Sequence, residues 1–190
     1  FCSHFPFRKN LPSIHHHHGA GWALTFVKHF YTGNGVGVTL SQMGIFSAIQ
    51  TEIEKQKILD RFQTQIDEVA HGMAERFDYN GPFSKSFINS YNFIDASYSI
   101  GDAVLSGTFS GNMTTYLLED GTKMYSWSGT TTLTFSDEFT DPLGVIELVY
   151  GSSTSPDAPD WLASLANLGG QGFHVGEEWS ITMSGGGIIE

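Results

Sequence analysis

The stretch from Ile100 to Leu143 constrains the chain most. Val104-Leu105-Ser106-Gly107-Thr108-Phe109-Ser110 and Thr130-Thr131-Thr132-Leu133-Thr134-Phe135-Ser136 both alternate with a period of two. Leu133 and Phe135 fall on one face and Thr132 and Thr134 on the other, as a half-buried strand requires. Glu119-Asp120-Gly121 sits between them, and an Asp-Gly pair tolerates the positive φ of a tight hairpin turn. Tyr116 to Leu118 enters that turn and Met124 to Trp127 leaves it, so the stretch reads as an antiparallel meander of three runs. It closes on an acidic knot, Asp137-Glu138-Phe139-Thr140-Asp141-Pro142.

Helical periodicity precedes the meander. Trp22, Leu24, Phe26, Val27 and Phe30 fit a helix over Trp22 to Tyr31, stopped by Gly33-Asn34-Gly35. Ser41 can cap a short segment Gln42 to Ala48. Ile49, Ile53, Leu59, Phe62, Ile66 and Val69 then mark one amphipathic helix over Gln50 to His71, its polar face mixed in charge and solvated. Phe77 to Pro82 breaks it and leads to a first strand at Tyr91 to Ile94. Beyond the meander, Val145 to Tyr150 reads as a strand, Trp161 to Leu168 as a helix capped by Asp160, and Gly176 to Met183 as the last strand. Helices leading and strands following make the fold class α+β. An extended arm or linker, 1–21, precedes one domain over 22–190, helical in 22–80 and β in 90–184.

Charge narrows the function. The 190 residues carry a net charge of -11, which argues against nucleic acid, because phosphate neutralisation needs clustered Lys and Arg. No apolar run is long enough to form a transmembrane segment. Cys2 is the one cysteine, so neither an internal disulfide nor a cysteine zinc site is available. After Lys123 the chain has no Lys or Arg but many acids, among them Asp137, Glu138, Asp141 and Glu147. Any phosphate chemistry at this segment needs a bound cation to reverse the local field. Asp137 and Asp141 can present the oxygen donors that Mg²⁺ or Ca²⁺ prefer, against the plainer reading of a solvated strand end and an Asp-Pro turn. His174, the sole histidine downstream of the knot, is the candidate general base. His15 to His18 are assigned no role, and His29 is read first as a packed or capping residue. The missing initiating Met and signal peptide suggest a fragment of a longer precursor.

In order and spacing, these residues resemble the activity domain of the colicin M group of lipid II-degrading bacteriocins. The resemblance rests on Lys28-His29-Phe30-Tyr31 with Gly33-Asn34-Gly35 and Gly44, on Gly101 to Phe135, on Ser136 to Asp141 and on the strand around Trp179 to Thr182. It implies helices beside a curved antiparallel sheet or open β-barrel. The implied activity is cation-assisted hydrolysis of a lipid-linked peptidoglycan precursor, lipid II, between polyprenyl group and pyrophosphate. It also implies a secreted or delivered toxin acting at a membrane surface in the target-cell periplasm, with a cognate immunity protein.

Asp137 stands at the first aspartate of the family's Asp-x-Tyr-Asp signature, Phe139 at the tyrosine and Thr140 at the second aspartate, with Asp141 one residue late. The His-Arg pair that should follow is replaced by Leu143-Gly144-Val145-Ile146-Glu147, and the resemblance makes Glu147, near the pair's position, the other candidate base. A catalytically inactive binding or delivery module is therefore the alternative reading. Without the resemblance, a structural α+β domain of a secreted assembly remains.

Overall fold

The computed structural model describes residues 16–97, 99–140, 142–150 and 169–189. Helices α1 (His16–Thr32), α2 (Phe46–Lys55) and α3 (Ile58–Arg76) precede the long strands β2 (Asn80–Asn92), β3 (Asp102–Leu117) and β4 (Lys123–Phe139). Helix α4 (Pro142–Tyr150) and strand β5 (Phe173–Ile189) follow, and a two-residue strand β1 (Val38–Thr39) lies between α1 and α2. The sheet runs β1-β5-β4-β3-β2. It is open, and mixed rather than purely antiparallel, because β1 pairs with β5 in parallel.

Alternation places the core. Phe83 and Phe87 of β2, Leu105 and Phe109 of β3, Leu133 and Phe135 of β4, and Val175 of β5 are all buried on one face. Helix α3 lies over that face, with Phe62 fully buried and stacked on Phe87 at 4.2 Å between ring centroids. Several inward positions are glycine because a neighbouring ring needs the space: a Cβ at Gly107 would come 2.4 Å from the Phe87 ring, and one at Gly185 would come 2.5 Å from Trp127.

The strands are fewer and longer than the residue pattern suggests. What reads as three runs is two strands, since Gly111 and Gly129, which resemble breaks, face each other inside the β3–β4 ladder. The first strand begins at Asn80 rather than Tyr91, with Pro82 tolerated because β2 is a sheet edge. The last strand extends past Met183 to Ile189.

Three helical readings are corrected. Gln42 to Gly44 is turn, and the helix starts only at Phe46, as α2. The single helix over Gln50 to His71 is two, broken at Lys57, which adopts the left-handed conformation (φ 53, ψ 40). Val145 to Tyr150 is the body of α4, not a strand. A short apolar run does not distinguish the two, and Pro142 suits the first position of a helix. The reading of Trp161 to Leu168 as a helix lies outside the described residues.

Helix α1 starts at His16 rather than Trp22, so 16–21, read as part of an extended arm, is helical. The helix ends as the glycine signal implies. Asn34 and Gly35 take positive φ (50° and 74°), and His29 Nε2 bonds the Val36 carbonyl at 2.8 Å. The His29 ring also packs edge-on against Phe173, 4.5 Å between centroids. It closes the turn after α1.

Candidate active site: the cleft at the end of β4

Inward alternation on β4 runs Leu133, Phe135, Asp137, Phe139, so the strand places one carboxylate where the core pattern calls for an apolar residue. Asp137 is half-buried, and its Oδ1 accepts the backbone N–H of Glu138 at 2.8 Å. Burial pushes its pKa up to about 6 from 3.8. The Glu138 N–H and the nearby His174 pull it down, whereas the charges of Glu138 and Asp102 push it up. A group poised near neutrality in a cleft is a functional-site candidate on physical grounds.

The cleft has a volume of about 400 Å³. Asp137, Glu138 and Thr140 form one wall, Asp102 and Gly101 another, and Gly144 and Val145 of α4 a third. Asp102 is fixed at the start of β3, where its Oδ1 accepts the Asn92 side-chain amide at 2.8 Å. The loop from Phe93 to Gly101 joins these strands, folded on a buried pair of hydroxyls, Ser97 and Ser99, 2.7 Å apart. Ser99 also lines the cleft.

The expected site residues are only partly brought together. His174 lies on β5, directly opposite Glu138 in the β4–β5 ladder, and its Nε2 is 3.0 Å from Ser136 Oγ on the exposed face. Its charge favours the ionised form of Asp137, but its ring is engaged with Ser136. Glu147 belongs to α4, whose first turn borders the cleft. Asp141 lies outside the described residues. No group of three His, Cys, Asp or Glu side chains placed to hold a metal occurs among the described residues.

Asp102 was missed in the sequence. It sits well before the acidic knot, and only the antiparallel register, which sets Val104 opposite Ser136, reveals that β3 starts beside the end of β4.

Among comparisons with known proteins, no family model matches the chain, and no curated protein matches it. Solved structures do. The bacteriocin syringacin M from Pseudomonas syringae pv. tomato matches with a TM-score of 0.43 and 12% identity, over 88% of this chain and 52% of that one. A mutant of syringacin M gives a TM-score of 0.44 and 13% identity, over 86% and 52%. A truncated form gives 0.38 and 14%, over 88% and 61%. The chain thus spans about half the length of the first two.

Proposed function

We propose that this chain is a bacteriocin-type toxin domain that hydrolyses a lipid-linked diphosphate, the peptidoglycan precursor lipid II, with a divalent cation at the β4 cleft. The observation that carries the reading is Asp137, a carboxylate held half-buried in an open cleft beside Asp102 and Glu138. An ionised group there is disfavoured by its surroundings, and a cation is the natural remedy. The donors fit a hard ion: Mg²⁺ commonly takes one or two carboxylates and completes its shell with water and substrate phosphate oxygens, so a three-residue cage is not required. Asp137 would hold the ion, with Asp141 as its expected second ligand and Asp102 as the neighbouring carboxylate. The ion would neutralise charge on the diphosphate.

The remaining roles fall to the chain's own groups. Glu147 and His174 are the candidate bases for the attacking water, which would add its hydroxyl across the bond between polyprenyl group and pyrophosphate and release the diphosphate side with the proton. His174 would have to exchange its contact with Ser136 to do so. The domain would act from outside the bilayer: no helix among the described residues is long and apolar enough to cross a membrane. A cognate immunity protein belongs to the same proposal.

A second reading has its own support. The residues standing where the family carries His-Arg form the start of α4, and no arginine follows Arg76 anywhere in the chain. A colicin M-like module that binds or delivers without cleaving would need neither residue. Mass-spectrometric assay of lipid II incubated with the protein, with Mg²⁺ or with chelator, separates the two. Cation-dependent release of the polyprenyl fragment is expected of the hydrolase, and intact lipid II under both conditions would move the second reading ahead.

A further inference from the structure

The two long edges of the sheet are finished differently. On β2 the edge carries Pro82 and Lys85, both of which discourage a further strand. On β5 the short β1 pairs only with Val175 and Gly176, and the stretch from Trp179 to Ile189 contains neither proline nor charge. The direction of its backbone groups is fixed by two bonds. The Gly176 carbonyl accepts the Leu40 N–H and so points away from β4, and the β4–β5 register continues to Ile189 without a bulge. Alternation then turns the N–H and C=O of Glu178, Ser180, Thr182, Ser184 and Gly186 outward, and all five residues are exposed. The Ser184 carbonyl agrees, since it accepts Gln63 Nε2 of α3 at 3.0 Å. The outward backbone groups of the other four bond nothing among the described residues.

Beside this edge, α3 and β5 enclose a cleft of about 370 Å³, lined by Asp60, Gln63, Thr64, Asp67, Gly185 and Gly186. The four helix residues form one stripe, so a single face of α3 stands over an open strand edge. Extended peptides add to sheets in grooves of this kind, their main chain bonding the edge and their side chains reading the walls. Gln63 holds the place of such a strand with one side-chain donor. The core is also open here. Trp179 and Ile181 point to the helix side but are only partly buried, whereas Thr131, Leu133 and Phe135 of β4, on the same side, are fully buried. A further strand would cover them.

Charge selects the occupant. No Lys or Arg lines the cleft, no ion pair among the described residues reaches Asp60 or Asp67, and the chain's net charge is -11. A second copy would bring the same carboxylates together, whereas a basic segment is drawn in. We infer that the free edge of β5 and the α3 cleft form a docking groove for an extended segment of another protein that carries Lys or Arg. That segment continues along β5 the pairing that β1 begins, with alternate side chains facing Asp60 and, further along, Trp179. The groove lies roughly 35 Å along β5 from the position paired with Asp137, so it stands whichever reading of the Asp137 cleft holds.

The test is fluorescence anisotropy of the full chain with a labelled peptide of about nine residues, alternating lysine and valine. Two control peptides accompany it: one with glutamate in place of lysine, and one N-methylated at each amide, which keeps side chains and charge but has no N–H to donate. The lysine peptide should bind at least about tenfold more tightly than either. Thr182→Pro removes only an outward N–H, a change tolerated at a sheet edge, and should abolish binding with the melting curve unchanged. If that variant does not fold, the N-methylated peptide carries the same arm. Asp60→Asn should weaken binding about threefold and flatten its salt dependence. No binding at about 1 mM peptide, equal binding of the N-methylated peptide, or undiminished binding in both variants would overturn the inference. So would concentration-dependent dimerisation that Thr182→Pro abolishes, which would make a second copy the occupant.

Discussion

Strand β4 meets a carboxylate on its inner face near each end, and the two are treated differently. At the Lys123 end, Asp67 of α3 accepts Tyr125 O–H at 2.9 Å and Trp127 Nε1–H at 2.7 Å. Room for both rings comes from Gly185 and Gly187, whose absent side chains would otherwise meet them. Roughly 40 Å away along the strand, Asp137 accepts the N–H of its own neighbour Glu138 and otherwise faces the charges of Glu138, Asp102 and His174. Asp67 ties a helix to a sheet. Asp137 ties no second element and is made costly by its surroundings, which marks it as a functional-site candidate.

The largest effect that could break this contrast is on activity. Asp137→Asn keeps the shape of the side chain and removes its charge, so a folded protein with lipid II cleavage reduced about 100-fold or more is expected. Unchanged toxicity and unchanged Mg²⁺ dependence in that variant would sink the proposal that the cleft is the active site.

Between the two carboxylates lies the apolar core, and Phe62→Ala sets its scale. Emptying the site stacked on Phe87 should cost about 3 kcal/mol or more in denaturant titration, and a loss below about 1 kcal/mol would mean that α3 does not seal the sheet.

Asp67→Ala should cost less, about 2 kcal/mol, because it strands the Tyr125 hydroxyl and Trp127 N–H without their acceptor. Burial, with Asp67's bond and charge adding to it, pushes the Tyr125 hydroxyl up to about 12. Ultraviolet titration of the variant should bring it down toward 10 while leaving part of the shift, since burial is the larger cause. A tyrosine that titrates as in the parent would show the clamp to be idle.

The smallest effect is the sharpest. Asp137 has its pKa raised in the folded state, from 3.8 to about 6, so the folded protein holds the proton more tightly than the unfolded chain does. That contribution to stability is complete below about pH 4 and is lost as pH rises through 6. Asp137→Asn should therefore be more stable than the parent at pH 8, by about 1 kcal/mol after discounting for solvent, and no more stable at pH 4. Added Mg²⁺ or Ca²⁺ should raise the parent's melting temperature at pH 8 and leave the variant's unchanged. A variant less stable than the parent at pH 8 would give Asp137 a structural role like that of Asp67.

The strands were legible where one face is apolar and the other polar, as at Leu133 and Phe135, both fully buried. Their ends were not, because inward glycines such as Gly111 and Gly129 look like turns until the rings beside them are seen. The break at Lys57 carries neither Gly nor Pro, so periodicity runs across it unmarked. Of the site, Asp137 could be singled out from the acidic knot. Asp102 and the cleft could not, since they arise from a pairing between strands whose relevant ends are far apart in sequence.

The parallel pairing of β1 with β5 also dictates when the molecule can become complete. Val38 waits for Val175, the Leu40 N–H bonds the Gly176 carbonyl, and the Ser41 N–H bonds Glu177 Oε2 at 2.8 Å, the last across 136 positions of sequence. During synthesis the hairpin of β3 and β4 can zip locally, but the joint between α1 and α2 has no partner until β5 has emerged. Contacts of such high sequence separation slow folding, and β4 meanwhile exposes a strand edge to other chains. For a cell making this protein, the vulnerable species is the nascent chain that ends before Phe173.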